Sequence, residues 1–247
     1  MVQRSTHEAL VASITNTAGN IRSTHEALLI SVTTPFTVIS YPVSPPAIPG
    51  IGPQDFTLTE VNVVGQTDSP FTLDQQVQQW PGQMWEIELN LPPMTYVQAE
   101  QWIAFLGSLY GRFGTFLMGD YNRPTPQGAL GGAPLSSGSN PSQLNSINLR
   151  GLTPSVTNWI IAGDYIQLQV PGFPKRLYKA VQNASSSIAG NLTLNIFPNL
   201  REAVPDGIAI VTSNCQGTFR LQDNKLPWKV DRNKVYTIAF KAKEAIP

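Results

Sequence analysis

Two histidines, one cysteine and a pair of alternate glutamates are the residues of this 247-residue chain whose types could carry chemistry. His7 and His25 occupy the same position of a repeat, and each is followed by an acid, Glu8 and Glu26. Imidazole and carboxylate both bind zinc. The two copies lie 18 residues apart, however, and the His-Glu-x-x-His pairing of a metalloprotease helix is absent. A histidine acting as a base also needs a nucleophile and an orienting group held in place. The proline-rich stretch that follows the repeats is a poor platform for that, so a solvated or interface-packed role is expected. Cys215, in Ser213-Asn-Cys-Gln-Gly217, has no basic neighbour and reads as a small filler at a strand start. Glu86 and Glu88 share one strand face, as a glycosidase pair would. Charged residues on the wet side of a half-buried strand are the plainer explanation. Gly-x-Ser-x-Gly, Walker and Gly-x-Gly-x-x-Gly patterns are missing. No catalytic constellation, metal site or cofactor site is expected.

The five tryptophans, Trp80, Trp85, Trp102, Trp159 and Trp228, could form a platform for stacking on sugars. Trp85 and Trp102 fall on the predicted buried faces of a strand and a helix. Trp159 and Trp228 stand near loops and are the candidate contact aromatics.

Composition narrows the classes of function. Lys and Arg number 16 and Asp and Glu number 16, so the formal charge is zero, which removes the usual reason to expect tight binding to nucleic acid or an anionic membrane. Asn and Gln together number 33, one more than all charged residues, so amides supply much of the polarity. One cysteine excludes an intrachain disulfide framework. The longest apolar run, residues 102–106, is too short for a membrane span, and the first residues lack an apolar signal core. The expectation is a protein made in a reducing cytoplasm.

The elements that would position these residues fall into four stretches. Residues 1–41 form an arm with two 12-residue repeats: Arg4-Ser-Thr-His-Glu-Ala-Leu10 recurs as Arg22-Ser-Thr-His-Glu-Ala-Leu28. Ser5-x-x-Glu8 and Ser23-x-x-Glu26 have capping-box spacing. The alternation of Leu10, Ala12, Ile14 and of Leu28, Ile30, Val32 instead predicts two short strands in a hairpin. Residues 42–54 are rich in proline and read as a stiff extended tether. The body begins near Asp55. Phe56, Leu58, Val61 and Val63 form a strand with a phase slip that points to a bulge or bend. Residues 71–79 and 84–91 alternate cleanly and predict a hairpin turning at Pro81-Gly82. Thr95-x-x-Gln98 opens a helix whose stripe is Ala99, Trp102, Ile103, Leu106, Leu109 and Tyr110, with Gly111 ending it. Residues 115–118 add a short strand. Between 120 and 158, Gly, Pro and Ser make up 16 of 39 residues, the composition of a long functional or disordered loop. Strand candidates follow at 164–170, 176–182, 192–197, 208–212, 218–222 and 235–243, with positive charge concentrated over 225–243. The fold class expected is mainly β with one helix, α+β.

At this point a family pattern is visible. Trp85-Glu-Ile-Glu-Leu-Asn-Leu-Pro-Pro-Met94, Ala99-Glu-Gln-Trp-Ile-Ala-Phe-Leu106 and Gly114-Thr-Phe-Leu-Met-Gly-Asp120 occur in order. Gly163-Asp-Tyr-Ile-Gln-Leu168, Arg176-Leu-Tyr-Lys179, Leu194-Asn-Ile-Phe-Pro198, Gly217-Thr-Phe-Arg-Leu221 and the closing strand from Val235 to Ala242 follow. Together, over roughly residues 54–247, they resemble the distal tail proteins of long-tailed bacteriophages. The resemblance implies a hexameric ring in the virion tail tip that joins the tail tube protein to hub, tip and receptor-binding or side-fibre proteins. It implies a tail-tube-like β-sandwich ring domain, residues 55–125 with 215–247, and a small peripheral β-barrel or sandwich domain after a long loop, residues 126–214. The protein would be made in the host bacterial cytoplasm, with copies of itself as first partner, no specific nucleic-acid binding, no membrane span and no enzymatic activity.

The repeat arm lies outside the matched region. Its Arg4, His7, Glu8, Leu10 and Arg22, His25, Glu26, Leu28 are candidate docking residues for equivalent sites on adjacent subunits or partners. Two linked copies would raise the effective concentration at the second site. Two other readings stand beside the ring: a carbohydrate-binding module resting on Trp159 and Trp228, and a glycan hydrolase resting on Glu86 and Glu88.

Overall fold

The computed structural model describes residues 39–246. The arm repeats, with Arg4, His7, Glu8, Leu10, Arg22, His25, Glu26 and Leu28, lie outside the described residues. The described chain is mainly β, with two sheets and a single helix.

β1 (Asp55–Asp68) and β2 (Gln75–Asn90) form a long antiparallel hairpin. Asn62 pairs with Gln83 but Val63 pairs with Trp80, which leaves Pro81 and Gly82 over as a bulge inside β2. Proline has no N–H to give to a ladder, so a bulge accommodates it. A Cβ on Gly82 would come within 2.9 Å of Val63 Cγ2, so any other residue there would have to displace the Val63 side chain. The expected Pro81-Gly82 turn is therefore corrected. The chain reverses at residues 69–74, where Ser69 N–H donates to the Asp74 carbonyl at 2.8 Å.

Thr95 N–H donates to Gln98 Oε1 at 3.0 Å at the start of α1 (Tyr96–Ser108). Ala99, Trp102, Phe105 and Leu106 are its buried residues. Leu109 is buried just beyond it, but Tyr110 takes φ +49° and is exposed, so the apolar stripe stops short of the expected end. Gly111 follows at φ +67°, the left-handed exit that glycine makes without strain.

β2 continues the sheet to β11 (Tyr236–Glu244), β9 (Gly217–Leu221) and β3 (Phe116–Met118), and β10 (Trp228–Val230) pairs with β11 off that path. Trp85, Ile87, Leu89, Phe219, Phe240 and the helix bury one core. Phe116 meets Phe105, Phe219 and Phe240 at centroid distances of 5.7–6.3 Å in edge-on and tilted pairs. The Pro-rich segment departs from a free tether. Tyr41, Val43, Ile48 and Ile51 pack against this core, and Val43 N–H donates to the Thr115 carbonyl at 3.0 Å. Residues between prolines keep their donors and apolar side chains, and these fasten the strap over the edge strand β3.

The second sheet has the order β4-β5-β8-β7-β6: β4 (Gly132–Ser136), β5 (Ser146–Leu152), β6 (Tyr165–Leu168), β7 (Arg176–Ala180) and β8 (Leu192–Phe197). β4 and β5 lie inside the stretch 120–158 expected to be loop. Glycines at 132 and 151 take positive φ and a register shift interrupts the pair, so loop-like composition serves an irregular ladder. Residues 208–212 make isolated bridges through Ala209 and Val211 in place of the expected strand.

The sheets meet through buried polar contacts. Trp85 Nε1–H donates to the Leu177 carbonyl at 3.0 Å. Arg176 binds Glu202 at 2.7 Å, and Arg201 binds Glu244 at 2.8 Å, with Glu244 also 3.6 Å from Arg176. Arg176, Glu202 and Glu244 are buried and the Arg201 side chain is partly buried, so each charge depends on the others for compensation.

Candidate functional site

Among the described residues, the groups singled out for chemistry are Glu86, Glu88 and Cys215. Glu86 and Glu88 sit on the wet face of β2, opposite Lys243 and Lys241 across the ladder. Glu88 forms an exposed ion pair with Lys241 at 3.1 Å, a cross-strand pair of modest strength. Cys215 is buried, with Sγ 3.3 Å from the carbonyls of Tyr165 and Val211. Burial pushes its thiol up to about 12, which keeps it protonated and non-nucleophilic at neutral pH. Cys215, Asp120 and Tyr121 are the titratable groups lining a cavity of about 340 Å³ beneath the proline strap. A protonated thiol beside one carboxylate is not an acid–base pair. Among the described residues, no three of the His, Cys, Asp and Glu side chains cluster to hold a metal.

The two candidate contact aromatics part company. Trp159 is a correction: it is fully buried in the second core, and its Nε1–H donates to the Gly131 carbonyl at 3.0 Å. Proximity to a glycine-rich loop in sequence indicated exposure. In the fold that loop passes over the indole and supplies its hydrogen-bond partner. Trp228 is 54% exposed. It borders a groove of about 300 Å³ whose walls include Ile103 and Leu106 of α1, Leu226 and Pro227 before β10, and Ile238 of β11. The groove's lining is apolar, and the stretch 225–243 holds six basic residues and one acid, Asp231. Lys225 and Lys229 are exposed, and among the described residues neither forms an ion pair.

A second surface lies at the other end of β2. Beyond the bulge, β1 and β2 continue as a two-stranded ribbon, and among the described residues no third strand joins it. Six residues per strand carry it roughly 20 Å past the bulge. Val63, Val64, Val77 and Trp80 are all exposed there, and at the tip Phe71 is 94% exposed and Leu73 79%. Leu73 holds φ +60°, a region uncommon for a branched-chain residue outside a constrained turn. The ribbon bears Asp68 and Asp74 and no basic residue. Its polar complement is amide: Gln66, Gln75, Gln76, Gln78 and Gln79.

The root of the ribbon is held firmly. Gln83 is buried; its Nε2–H donates to Asn62 Oδ1 at 3.0 Å, and its Oε1 accepts from Asn199 N–H at 2.8 Å. Its carbonyl accepts from Arg201. These contacts fix the angle at which the ribbon leaves the body. Sequence alternation assigned Phe71, Leu73 and Val77 to one face of a half-buried strand and so missed the projection. The available signal was a run from Val61 to Met84 with two acids, no base and five glutamines between its apolar residues before Gln83.

No family model matches the chain, and no curated protein matches it.

Proposed function

We propose that this protein is a non-enzymatic structural subunit of a bacteriophage tail tip. Copies of it form an oligomeric ring, hexameric by the resemblance of residues 54–247 to distal tail proteins. In the virion that ring joins the tail tube to hub and adhesion proteins. The observation that carries the reading is the apolar ribbon of residues 62–82. An isolated two-stranded ribbon is marginal in water, and this one exposes large apolar side chains on a single chain. Such a patch marks a surface completed by another protein. Strands β1, β2, β3, β9, β10 and β11 with α1 correspond to the ring domain. Strands β4 to β8 correspond to the peripheral β domain. The repeats carrying His7 and His25 would extend the ring to further partners.

A carbohydrate-binding role finds less support. Trp159 is buried, and the groove beside Trp228 is walled by apolar groups, where sugar hydroxyls would find few partners.

Light scattering and particle imaging of the purified full chain test the proposal, together with antibody labelling of intact tails. Closed rings of six and label at the tail tip are expected. A chain that stays monomeric at all concentrations and is missing from tails would overturn it.

A further inference from the structure

β9 alternates, and its two faces meet different surroundings. Phe219 and Leu221 enter the core, so Thr218 and Arg220 share the opposite face. The chain leading into β7 reaches that face, where Thr218 N–H donates to the Lys175 carbonyl at 3.0 Å. Thr218, Arg220 and Lys175 line one cavity of about 480 Å³, within the roughly 300–1,000 Å³ typical of ligand sites. Tyr41 and Pro42 of the strap, Phe173 and Pro174 before β7, and Ile246 after β11 give it apolar walls.

The polar groups of this cavity do not satisfy one another. Lys175 and Arg220 are its charged residues, and no acid is among the residues that line it. Neither forms an ion pair among the described residues. Across the ladder Arg220 faces Lys243, whose other neighbour on that face is Glu86 of β2. Like charges directly opposite repel, so Lys243 adds to the demand for an anion and Glu86 lies one strand further off. Thr218 adds a separate demand. It is 2% exposed, and its Oγ1 has no hydrogen-bond partner among the described residues. Buried polar groups in folded proteins are nearly always paired, so a solitary one calls for an explanation.

We propose that this cavity binds a small organic acid, with its carboxylate between Lys175 and Arg220 and within reach of the Thr218 hydroxyl. Its apolar body rests against Tyr41, Phe173 and Ile246. A carboxylate takes two parallel N–H bonds from a guanidinium and pairs with an ammonium as a point charge. The charged head fixes orientation, and the apolar walls take the body out of water. The walls come from four distant segments of the chain, so a bound acid stabilises the folded form by mass action.

Benzoate is the probe, titrated calorimetrically into the purified full chain with thermal unfolding followed in parallel. It should bind with a Kd in about the millimolar range or tighter and raise the unfolding midpoint. Acetate keeps the head without the body, and benzyl alcohol keeps the body without the charge. Each should bind roughly tenfold more weakly. Lys175 is partly exposed and Arg220 exposed, so Lys175→Met and Arg220→Gln should leave the circular dichroism unchanged. Each should weaken benzoate roughly tenfold. Thr218→Val separates ligand from scaffold. Removing a hydroxyl without a partner should leave the ligand-free protein as stable or more stable, while benzoate binds about threefold more weakly. Absence of saturable benzoate binding, or binding that all three substitutions leave unchanged, would overturn the proposal. Inorganic phosphate binding as tightly as benzoate would overturn it too, because the apolar walls would then contribute nothing.

Discussion

β2 is one continuous strand with two environments. From Gln83 to Asn90 it alternates between a core face, Trp85, Ile87 and Leu89, and a wet face, Glu86 and Glu88. From Gln75 to Gly82 every residue is exposed. The backbone pairing is the same in both halves, because β1 accompanies β2 along its whole length. What changes at the Pro81-Gly82 bulge is the third partner. β11 covers residues 86–90 on the far side, and the helix and aromatic cluster lie beneath. Beyond the bulge, among the described residues, there is only the hairpin itself. Hydrogen bonding thus sets the strand, while side-chain cover sets its stability. The bare half is exposed ribbon, held at its root by the contacts of Gln83 with Asn62, Asn199 and Arg201.

Removing the anchor of the covered half should have the largest effect. Trp85→Ala deletes a fully buried indole, its edge-on contact with Phe197 at 5.1 Å and its hydrogen bond to Leu177. The expected loss is about 3–5 kcal/mol in urea unfolding. A loss under about 1 kcal/mol would mean that the two sheets do not depend on this side chain. Next in size, Glu244→Gln takes the shared carboxylate from Arg176 and Arg201 and leaves a buried guanidinium short of charge. Removing one member of a buried network costs about 3 kcal/mol. Glu88→Gln, which breaks the exposed pair with Lys241, should cost no more than about 0.5 kcal/mol by the same measurement.

How much of this was legible in the sequence follows from which interactions are local. Trp85, Ile87 and Leu89 were readable because a period of two along one strand reports its inward face. The helix was readable because Thr95 and Gln98 satisfy its first turn from within four residues. The same reasoning misplaced the turn at Pro81-Gly82. Turn residues and bulge residues have the same chemistry, and the choice between them depended on the partner strand β1. Alternation at Val77 reported amphipathicity but not the absence of cover. Trp159, the ion cluster of Arg176, Arg201, Glu202 and Glu244, and the pairing of β4 with β5 depend on contacts between distant segments. None leaves a periodic trace. The proline strap was misread for a related reason, since Val43 pairs with a strand more than seventy residues later.

Cys215 belongs to the covered side. Its thiol pKa stands near 12 in the fold against an ordinary value of 9.0, because burial disfavours the thiolate. A folded-state value above the unfolded one means the contribution is complete below about pH 9 and is lost as pH climbs toward 12. Wild type should therefore lose more stability between pH 8 and pH 11 than Cys215→Ala, as read by urea midpoints at each pH. Thiol labelling at pH 8 should be on the order of a hundredfold slower in the folded chain than in urea. Labelling at equal rates would show that this part of the core is open.

The smallest effect is expected in the bare half, and it discriminates most finely between the two environments. Val77 is exposed on the ribbon, where its neighbours across the ladder are Gln66 and the backbone of β1. In dilute, dissociated protein, Val77→Thr keeps the β-branched shape and changes unfolding free energy by less than about 0.5 kcal/mol. The equivalent change in the covered half, Ile87→Thr, removes buried apolar surface and places a hydroxyl without a partner in the core, with a loss of about 2 kcal/mol or more. Under the proposed ring, in which the ribbon's apolar residues act between molecules, Val77→Thr should nonetheless weaken self-association at high concentration. A stability loss at Val77 as large as that at Ile87 would show that the ribbon is packed on its own body. The distinction between the two halves of β2 would then dissolve.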